Sequence, residues 1–358
     1  LAMDNLSHEN LINDIELIAR DLNISLVSIE SGFGPEELPD WGGRHFRLLQ
    51  KPQIAILSHS DFSSYDVGVT WWSIDQYLGI RHSQVNSSMA RYADLRRYNT
   101  IVMPSGYADL NGSKKEALMT WVAQGGTLIA HNRSSRLIAS AEDFGSVKLL
   151  QNTFNNSVDY KFDLLKEMAA SDNYINKDKI LNHGIDLDIS YPWESSEKAL
   201  SQENLENRDK WQSFFMPSGS MVSGRVDQKH WLTFGTPAVL PILYANYPVL
   251  MTNDDAEAVV RIGELVSNDT VKDFRMINWS SIPPGKDLNV RMSGLVWPEA
   301  AQRIANSAYL TRERIGRGQI ILFAGEPNFR GSTRGTNRLW LNALIYGTGL
   351  GASSKINL

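Results

Sequence analysis

Apolar residues in this chain fall in short unbroken runs separated by longer stretches of helical period. From Lys51 onward the runs are IAILS after Gln53, TIVM from Thr100, TLIAH from Thr127 and QIILF from Gln319. A continuous apolar run bounded by turn residues marks a strand covered on both faces, because a strand with one wet face alternates instead. Between the runs, VGVTWWSIDQYLGI is expected to form a helix ending at Gly79. SKKEALMTWVAQGG is expected to form another, with Gly125 and Gly126 just past its end, where left-handed backbone is common. A further strand is expected over about 80–85, and SSRLIAS begins a helix after TLIAH. This alternation predicts an α/β fold. Its core is a doubly wound, mainly parallel sheet built from residues 53–58, 80–85, 100–104, 126–130 and 319–324.

The rest of the pattern decorates that sheet. HENLINDIELIARD, residues 8–21, carries Leu11, Ile12, Ile15, Leu17 and Ile18 at helical spacing, with Ser7 as a candidate cap. ISLVSIE follows as a β-prone run, and Gly32, Gly34, Pro35, Pro39, Gly42, Gly43 and Pro52 mark residues 31–52 as a connection. Residues 1–50 are therefore read as a linker and tail, and residues 51–350 as one α/β domain. Within that domain, about 145–220 is a polar helical or loop-rich insertion. About 221–292 is strand-rich, with the short strands MVSGRV, HWLTFG, VLPILYAN, YPVLMT and AVVRIGEL. PEAAQRIANS is helical with Pro298 in its first turn, SAYLTRERIGRGQIILFAGEP holds two strands around Gly316 and Gly318, and TNRLWLNALIYGTGLG is the last helix. The opening Leu1-Ala2-Met3-Asp4, running at once into an amphipathic helix, reads as an internal stretch of a longer polypeptide.

Composition narrows the function classes. The chain has 358 residues, 42% hydrophobic and 21% charged, which suits a globular core and argues against disorder. Its net charge of −5 lacks the basic footprint of a sequence-independent nucleic-acid binder, so no nucleic-acid partner is expected. No run approaches the roughly 18 apolar residues of a membrane span. Cysteine is absent, which removes disulfides, thiolate nucleophiles and thiolate metal ligands.

The search for chemistry then turns to the remaining residue types. The seven histidines, His8, His45, His59, His82, His131, His183 and His230, form neither His-x-x-x-His nor His-x-x-Glu. The nearest approach is His183-Gly-Ile-Asp186, and no bound zinc is expected in a site made by this chain. The turn after TLIAH is where a doubly wound hydrolase or amidotransferase carries its nucleophile on a strand-to-helix elbow. Here it reads His131-Asn132-Arg133-Ser134-Ser135, without Gly-x-Ser-x-Gly. Asn132 is no acyl-transfer nucleophile, and Ser134 is either a nucleophile or a helix cap. Ser31-Gly-Phe-Gly-Pro35 and Gly316-Arg-Gly318 fit no phosphate-binding fingerprint and read as turns. Ligands of open parallel sheets sit outside the carboxyl ends of the strands. The candidate pocket is accordingly Ser63, Ser64 and Tyr65 after the first strand, Ser105 and Tyr107 after the third, Asn132 and Ser134 after the fourth, and Asn328 and Arg330 after the last. The alternative is that these residues only cap helices and satisfy loop backbone. Arg330, in Pro327-Asn-Phe-Arg-Gly331, is expected at least half buried, either gripping an anion or tying the 104–107 and 131–135 turns together.

Several segments together resemble the C-terminal region of large bacterial zinc carboxypeptidases related to carboxypeptidase A. In that family the peptidase domain is followed by a region similar to class I glutamine amidotransferases. The resembling segments are PQIAILSHSDFSSYDVGVTWWSIDQYLGI, YNTIVMPSGY, LMTWVAQGGTLIAH, VDQKHWLTFG, Ser293 to Glu299, and GRGQIILFAGEPNFRGSTRGTNRLWLNALIYG. They spread from about Lys51 to Gly347. The resemblance implies a flavodoxin-like, class I glutamine amidotransferase-like fold and a secreted or periplasmic parent. It also implies that zinc and its ligands lie in an N-terminal peptidase domain of the same polypeptide, with no cofactor in this chain. No position here matches the peptidase's zinc motif or the amidotransferase's cysteine. The expected role is a non-catalytic accessory domain that packs on the peptidase domain or binds peptide or cell-wall substrate. Two rivals stand beside it: an independent hydrolase using Ser134 or His131, and a carbohydrate- or peptide-binding module using aromatic faces such as Trp71, Trp72 or Trp297.

Overall fold

The computed structural model describes residues 9–27, 31–34, 40, 43, 46, 49–59, 61–87, 94–110, 112–172 and 201–352, with only the backbone of 169–172. The chain divides into two compact units, Leu1–Leu48 and Leu49–Leu358. In the first, helix α1 (Leu11–Asp21) forms where the periodicity placed it, and the Asn10 side chain makes no capping bond. Ser7 lies outside the described residues. The β-prone run does not become a strand over 24–27, where Ile24, Leu26 and Val27 are exposed and pair with no ladder.

The second unit is built on one large sheet. Its parallel half comprises β1 (Ile54–Ser58), β2 (His82–Asn86), β3 (Thr100–Met103), β4 (Thr127–His131) and β16 (Gly318–Phe323). The spatial order is β2-β1-β3-β4-β16, and every neighbouring pair is parallel. This is the flavodoxin-like order, reached by the five segments expected from their apolar runs. Every residue of β1, β3, β4 and β16 is buried, as strands covered on both faces require. The helices between them are α2 (Ser64–Trp72), which widens into a π turn over Ser73–Tyr77, then α3 (Ser113–Ala123) and α4 (Arg133–Ser140). Helix α3 stops where Gly125 takes φ 118°, as its sequence foretells.

Beyond β16 the sheet continues in antiparallel fashion. β15 (Ala308–Ile315) forms a hairpin with β16 through Gly316, at φ 59°. β9 (Ala256–Ile262) and β6 (Ser218–Val226) follow, and β6 pairs with β7 (Val239–Ala245) and with β14 (Arg291–Ser293). The short strand β8 (Leu250–Met251) adds to β15, and β5 (Lys148–Leu149) pairs with β8. Two small ribbons, β10 (Glu264–Ser267) with β13 (Lys286–Asn289) and β11 (Arg275–Ile277) with β12 (Ser280–Ile282), stand apart from it. The insertion contains α5 (Ser157–Asp172) and α6 (Gln202–Gln212), and α7 (Pro298–Ile304) begins at its proline. The chain closes on α8 (Arg334–Tyr346).

One expected strand is corrected. In HWLTFG, residues 231–233 form a 3₁₀ turn because His230 Nδ1 accepts from the Leu232 amide at 3.0 Å. Asn342 of α8 fixes the same turn, donating at 2.9 Å to the carbonyls of Leu232 and Phe234.

Candidate functional site

Because β1, β3, β4 and β16 run parallel, the loops that follow them gather at one edge. The β4 loop is the sharpest. Asn132 takes φ 54° and ψ −115°, a strained elbow for a residue with a Cβ, and its amide donates to the Phe323 carbonyl at 3.0 Å. The elbow is thus present, with an asparagine at its apex. Just beyond it, Ser134 and Ser135 are fully buried, and their hydroxyls are given to the carbonyls of Pro104 and Phe323. They lock the elbow onto the β3 and β16 loops, and neither presents a nucleophile to solvent.

Beside the elbow, Asp66 and Thr70 of α2, His131 at the end of β4, Glu326 to Asn328 after β16 and Trp340 of α8 line a narrow cleft with free room for little more than one water. Asp66 arrives there because Ser63 caps α2, its side chain accepting from the Asp66 amide at 3.4 Å. The Glu326 carboxyl is pushed up to about 8. Burial is the main cause, a hydrogen bond and repulsion from Asp66 add to it, and the Asn132 amide and Arg133 partly offset it. The Asn132 Nδ2 reaches Glu326 Oε1 at 3.3 Å. His131 is pulled down to about 4 by burial, with Asp66 acting weakly in the opposite direction, so the ring is neutral at physiological pH. Its edge meets the Trp340 indole at 5.5 Å, and the indole N–H donates to Ser73 Oγ at 3.1 Å. Two buried polar atoms of the cleft residues, His131 Nδ1 and Asn328 Nδ2, have no partner among the described residues. Buried polar atoms are nearly always paired, so each of these two has a hydrogen-bonding position to spare.

Besides Ser134, the sequence-derived pocket residues divide into four groups. Asn132 and Asn328 belong to the cleft or its wall. Ser63 caps α2, and Ser105 is buried with its carbonyl accepting from the Ser63 amide, so both hold loops. Ser64, Tyr65 and Tyr107 are exposed at the rim, where the Arg133 guanidinium lies 4.4 Å over the Tyr107 ring. Arg330 is a correction. It is exposed, at φ 51°, with its guanidinium 5.1 Å from the ring of its own neighbour Phe329. Among the described residues it makes no hydrogen bond, so it neither grips a buried anion nor ties the turns. The left-handed backbone turns its side chain outward, and Thr333 and Thr336 secure the loop instead by donating to the Pro327 carbonyl. Sequence reasoning missed Glu326, and it left Asp66, the end of the run Ser63-Ser64-Tyr65-Asp66, out of the pocket. The signal available was their position, one turn into the helix after β1 and three residues after β16.

His183 and Asp186 lie outside the described residues. Among the described residues no three of His, Asp or Glu stand together so as to hold a metal. No described helix is long and apolar enough to cross a membrane.

No family model matches the chain, and no curated protein matches it. Solved structures of similar shape include a putative ThuA-like protein from Parabacteroides merdae, at 9% identity and TM-score 0.43, covering 86% of this chain and 93% of that one. A putative ThuA-like protein from Bacteroides uniformis is 13% identical with TM-score 0.38, covering 81% of this chain and 88% of that one. A β-galactosidase from Bacillus circulans sp. alkalophilus is 13% identical with TM-score 0.40, covering 83% of this chain but 31% of the enzyme. At these scores the likenesses carry no argument about activity. The strand order and the elbow after β4 make the fold a flavodoxin-like, class I glutamine amidotransferase-like α/β fold.

Proposed function

We propose that this chain is a non-catalytic accessory region of a larger zinc carboxypeptidase, and that it serves by binding at the carboxyl edge of its sheet. The observation that carries the reading is Asn132 at the apex of the elbow. An amidotransferase-like fold places its attacking group there, and a carboxamide cannot perform that attack. The reading is supported further by the loss of Ser134 to an internal hydrogen bond. Its finer part, the zinc peptidase parent, rests on the resembling segments from Lys51 to Gly347. The zinc, the peptidase domain as intramolecular partner and a periplasmic or secreted location belong to that part. What the edge binds under this reading is peptide or cell-wall material.

The test has two arms. The purified chain should hydrolyse neither glutamine nor C-terminal peptide bonds. Antibody raised against it should recover from source cells a polypeptide larger than 40.2 kDa with chelator-sensitive carboxypeptidase activity. Turnover by the isolated chain that disappears in a Ser134→Ala variant would instead establish the independent hydrolase. A recovered polypeptide of the chain's own mass without peptidase activity would remove the zinc parent.

A second reading, a carbohydrate-binding module, has one observation in its favour. Trp71 and Trp72 of α2 are partly exposed, and Trp71 lines a broad, open hollow with Ser58, His59 and Gln84 at the same edge. Trp297 is half exposed but packs on Phe215, 6.2 Å between ring centres. Titration with cell-wall oligosaccharides, read by tryptophan fluorescence and compared in a Trp71→Ala variant, separates it from a peptide-binding edge.

A further inference from the structure

We propose that the cleft between Asp66, His131, Glu326 and Asn328 is a binding site for a primary ammonium group. The inference rests on the reading of this edge as a binding surface and names the chemical class of what enters it.

Three observations lead to it. First, the cleft is rich in acceptors. The Asp66 and Glu326 carboxyls share it, and the neutral His131 ring lines it, with an Nδ1 that is buried and without a partner among the described residues. An ammonium carries three donors and no acceptor, whereas a hydroxyl brings a single donor and a carboxylate none. The Asn328 amide fits the same ligand, because a half-turn about its last bond exchanges the orphaned Nδ2 for Oδ1 with little change of shape. Second, the two carboxyl groups meet at a partly desolvated site, where protonated Glu326 is hydrogen-bonded to Asp66 and the pair would repel once both were charged. The positive group that bears on them is Arg133, and its guanidinium is exposed and stacked over Tyr107 at 4.4 Å. A cation seated between the carboxyls relieves that repulsion directly. Third, the free space narrows to the size of a single water, which is also the size of –NH₃⁺. Val69, Pro327 and Trp340 wall the cleft, so a small cationic head is expected to fit better than a bulkier one.

The charged and titratable groups around Glu326 are known from each packed element. Asp66 comes from α2, His131 from β4, Arg133 from α4, Tyr247 from the loop after β7 and Tyr309 from β15. Burial keeps both tyrosines in the phenol form, so neither supplies charge at neutral pH. Seating an ammonium therefore expels the Glu326 proton to solvent. The ligand N–H groups replace it, and no bond is made or broken elsewhere. Affinity should rise about tenfold per pH unit from pH 6 to pH 8, then level off until the amine itself loses its proton.

The experiment is calorimetric titration of the full chain with methylammonium chloride. It is run at pH 7 in phosphate and in HEPES, whose different ionisation heats give the number of protons released. The proposal expects saturable binding, release of close to one proton, and no binding of tetramethylammonium or methanol. Glu326→Gln should abolish the proton release and the pH dependence, and Asp66→Asn should weaken binding at least tenfold. Far-ultraviolet circular dichroism checks that both variants fold, and the wild-type proton count stands without them. Gly-Gly against its N-acetyl form, and glucosamine against N-acetylglucosamine, distinguish a peptide amine from an amino sugar as the natural source. Absence of saturable binding at pH 8 would overturn the proposal, as would binding without proton release or equal binding of methanol. None of these measurements depends on peptidase activity in the parent, so a failed parent assignment and a failed ammonium site are told apart.

Discussion

Glu326 takes up its proton on folding, because its carboxyl is pushed up to about 8 in the native cleft from an ordinary value of 4.5. The sign follows from linkage. The folded state binds more protons than the unfolded one across this window, so stability is fully present below the unfolded value and is lost as pH rises toward 8. A Glu326→Gln variant keeps the shape and the neutral form. Its melting temperature should match the wild type near pH 4 and exceed it by a margin that grows to pH 8, measured by thermal unfolding across that range. A constant gap would contradict the shift. Neither Glu326 nor Asp66 was legible in the sequence as a pair, because they lie on opposite sides of the chain's length and carboxylates are common on loops. Only the parallel register of β1 with β3, β4 and β16 brings them together. Asn132 was legible, since an apolar strand running straight into a helix fixes where an elbow must be. Arg330 was misjudged because its residue type suggested buried recognition, while its positive φ, invisible in sequence, decides where the side chain points.

At the scale of elements, the five parallel strands could be read from their unbroken apolar runs, and HWLTFG could not. Its alternation suits a strand, but His230 and Asn342 spend their polar atoms on a tight turn, and Asn342 arrives from α8, far along the chain. Close approach of elements also sets residue choice. A Cβ on Gly318 at the start of β16 would stand 2.0 Å from the Val122 carbonyl oxygen and 2.3 Å from that of Gly126. These are backbone atoms at the end of α3 and cannot swing aside. Gly318→Ala should therefore cost about 3 kcal/mol or more, in the range of severe overpacking. Gly68 in α2 meets nothing within 4 Å, so Gly68→Ala should be neutral or stabilising by about 0.5–1 kcal/mol. Urea unfolding of both variants beside the wild type checks the contrast. Similar losses at the two sites would mean that α3 can retreat from the sheet.

For the molecule as a whole, what the sequence did not convey is that the strand-rich region continues the parallel sheet through the β15–β16 hairpin. Short polar-interrupted strands say little about which edge they join. Two ion pairs join α5 to this antiparallel half: Lys166 with Asp254, both largely exposed, and Glu167 with a buried arginine. Arg261 of β9 is 5% exposed and meets Glu167 of α5 through contacts of 2.6 to 2.9 Å. It also donates to the Asn306 carbonyl at 2.9 Å and to Thr252 Oγ1 at 3.0 Å. Burial would raise the Glu167 carboxyl, but the positive charges of Arg261 and Arg225 hold it below its ordinary value. Removing one partner of such a pair leaves the other charge uncompensated, whereas replacing both by apolar groups of similar size can be nearly neutral. Glu167→Gln should thus destabilise by about 2–3 kcal/mol, below the fully buried range because the Glu167 side chain is 43% exposed and water can reach it. The double variant with Arg261→Met should recover much of that loss. The sign with pH is also fixed. A depressed carboxylate stabilises above its unfolded value and loses the effect as pH falls, so the gap between wild type and Glu167→Gln should close as pH drops below about 4.5. Denaturant titrations at pH 7 and pH 4 on the wild type and both variants test all three statements. A single variant within about 0.5 kcal/mol of wild type at pH 7 would show that α5 is held by its apolar face through Leu164, Leu165 and Met168, with the ion pair contributing nothing net.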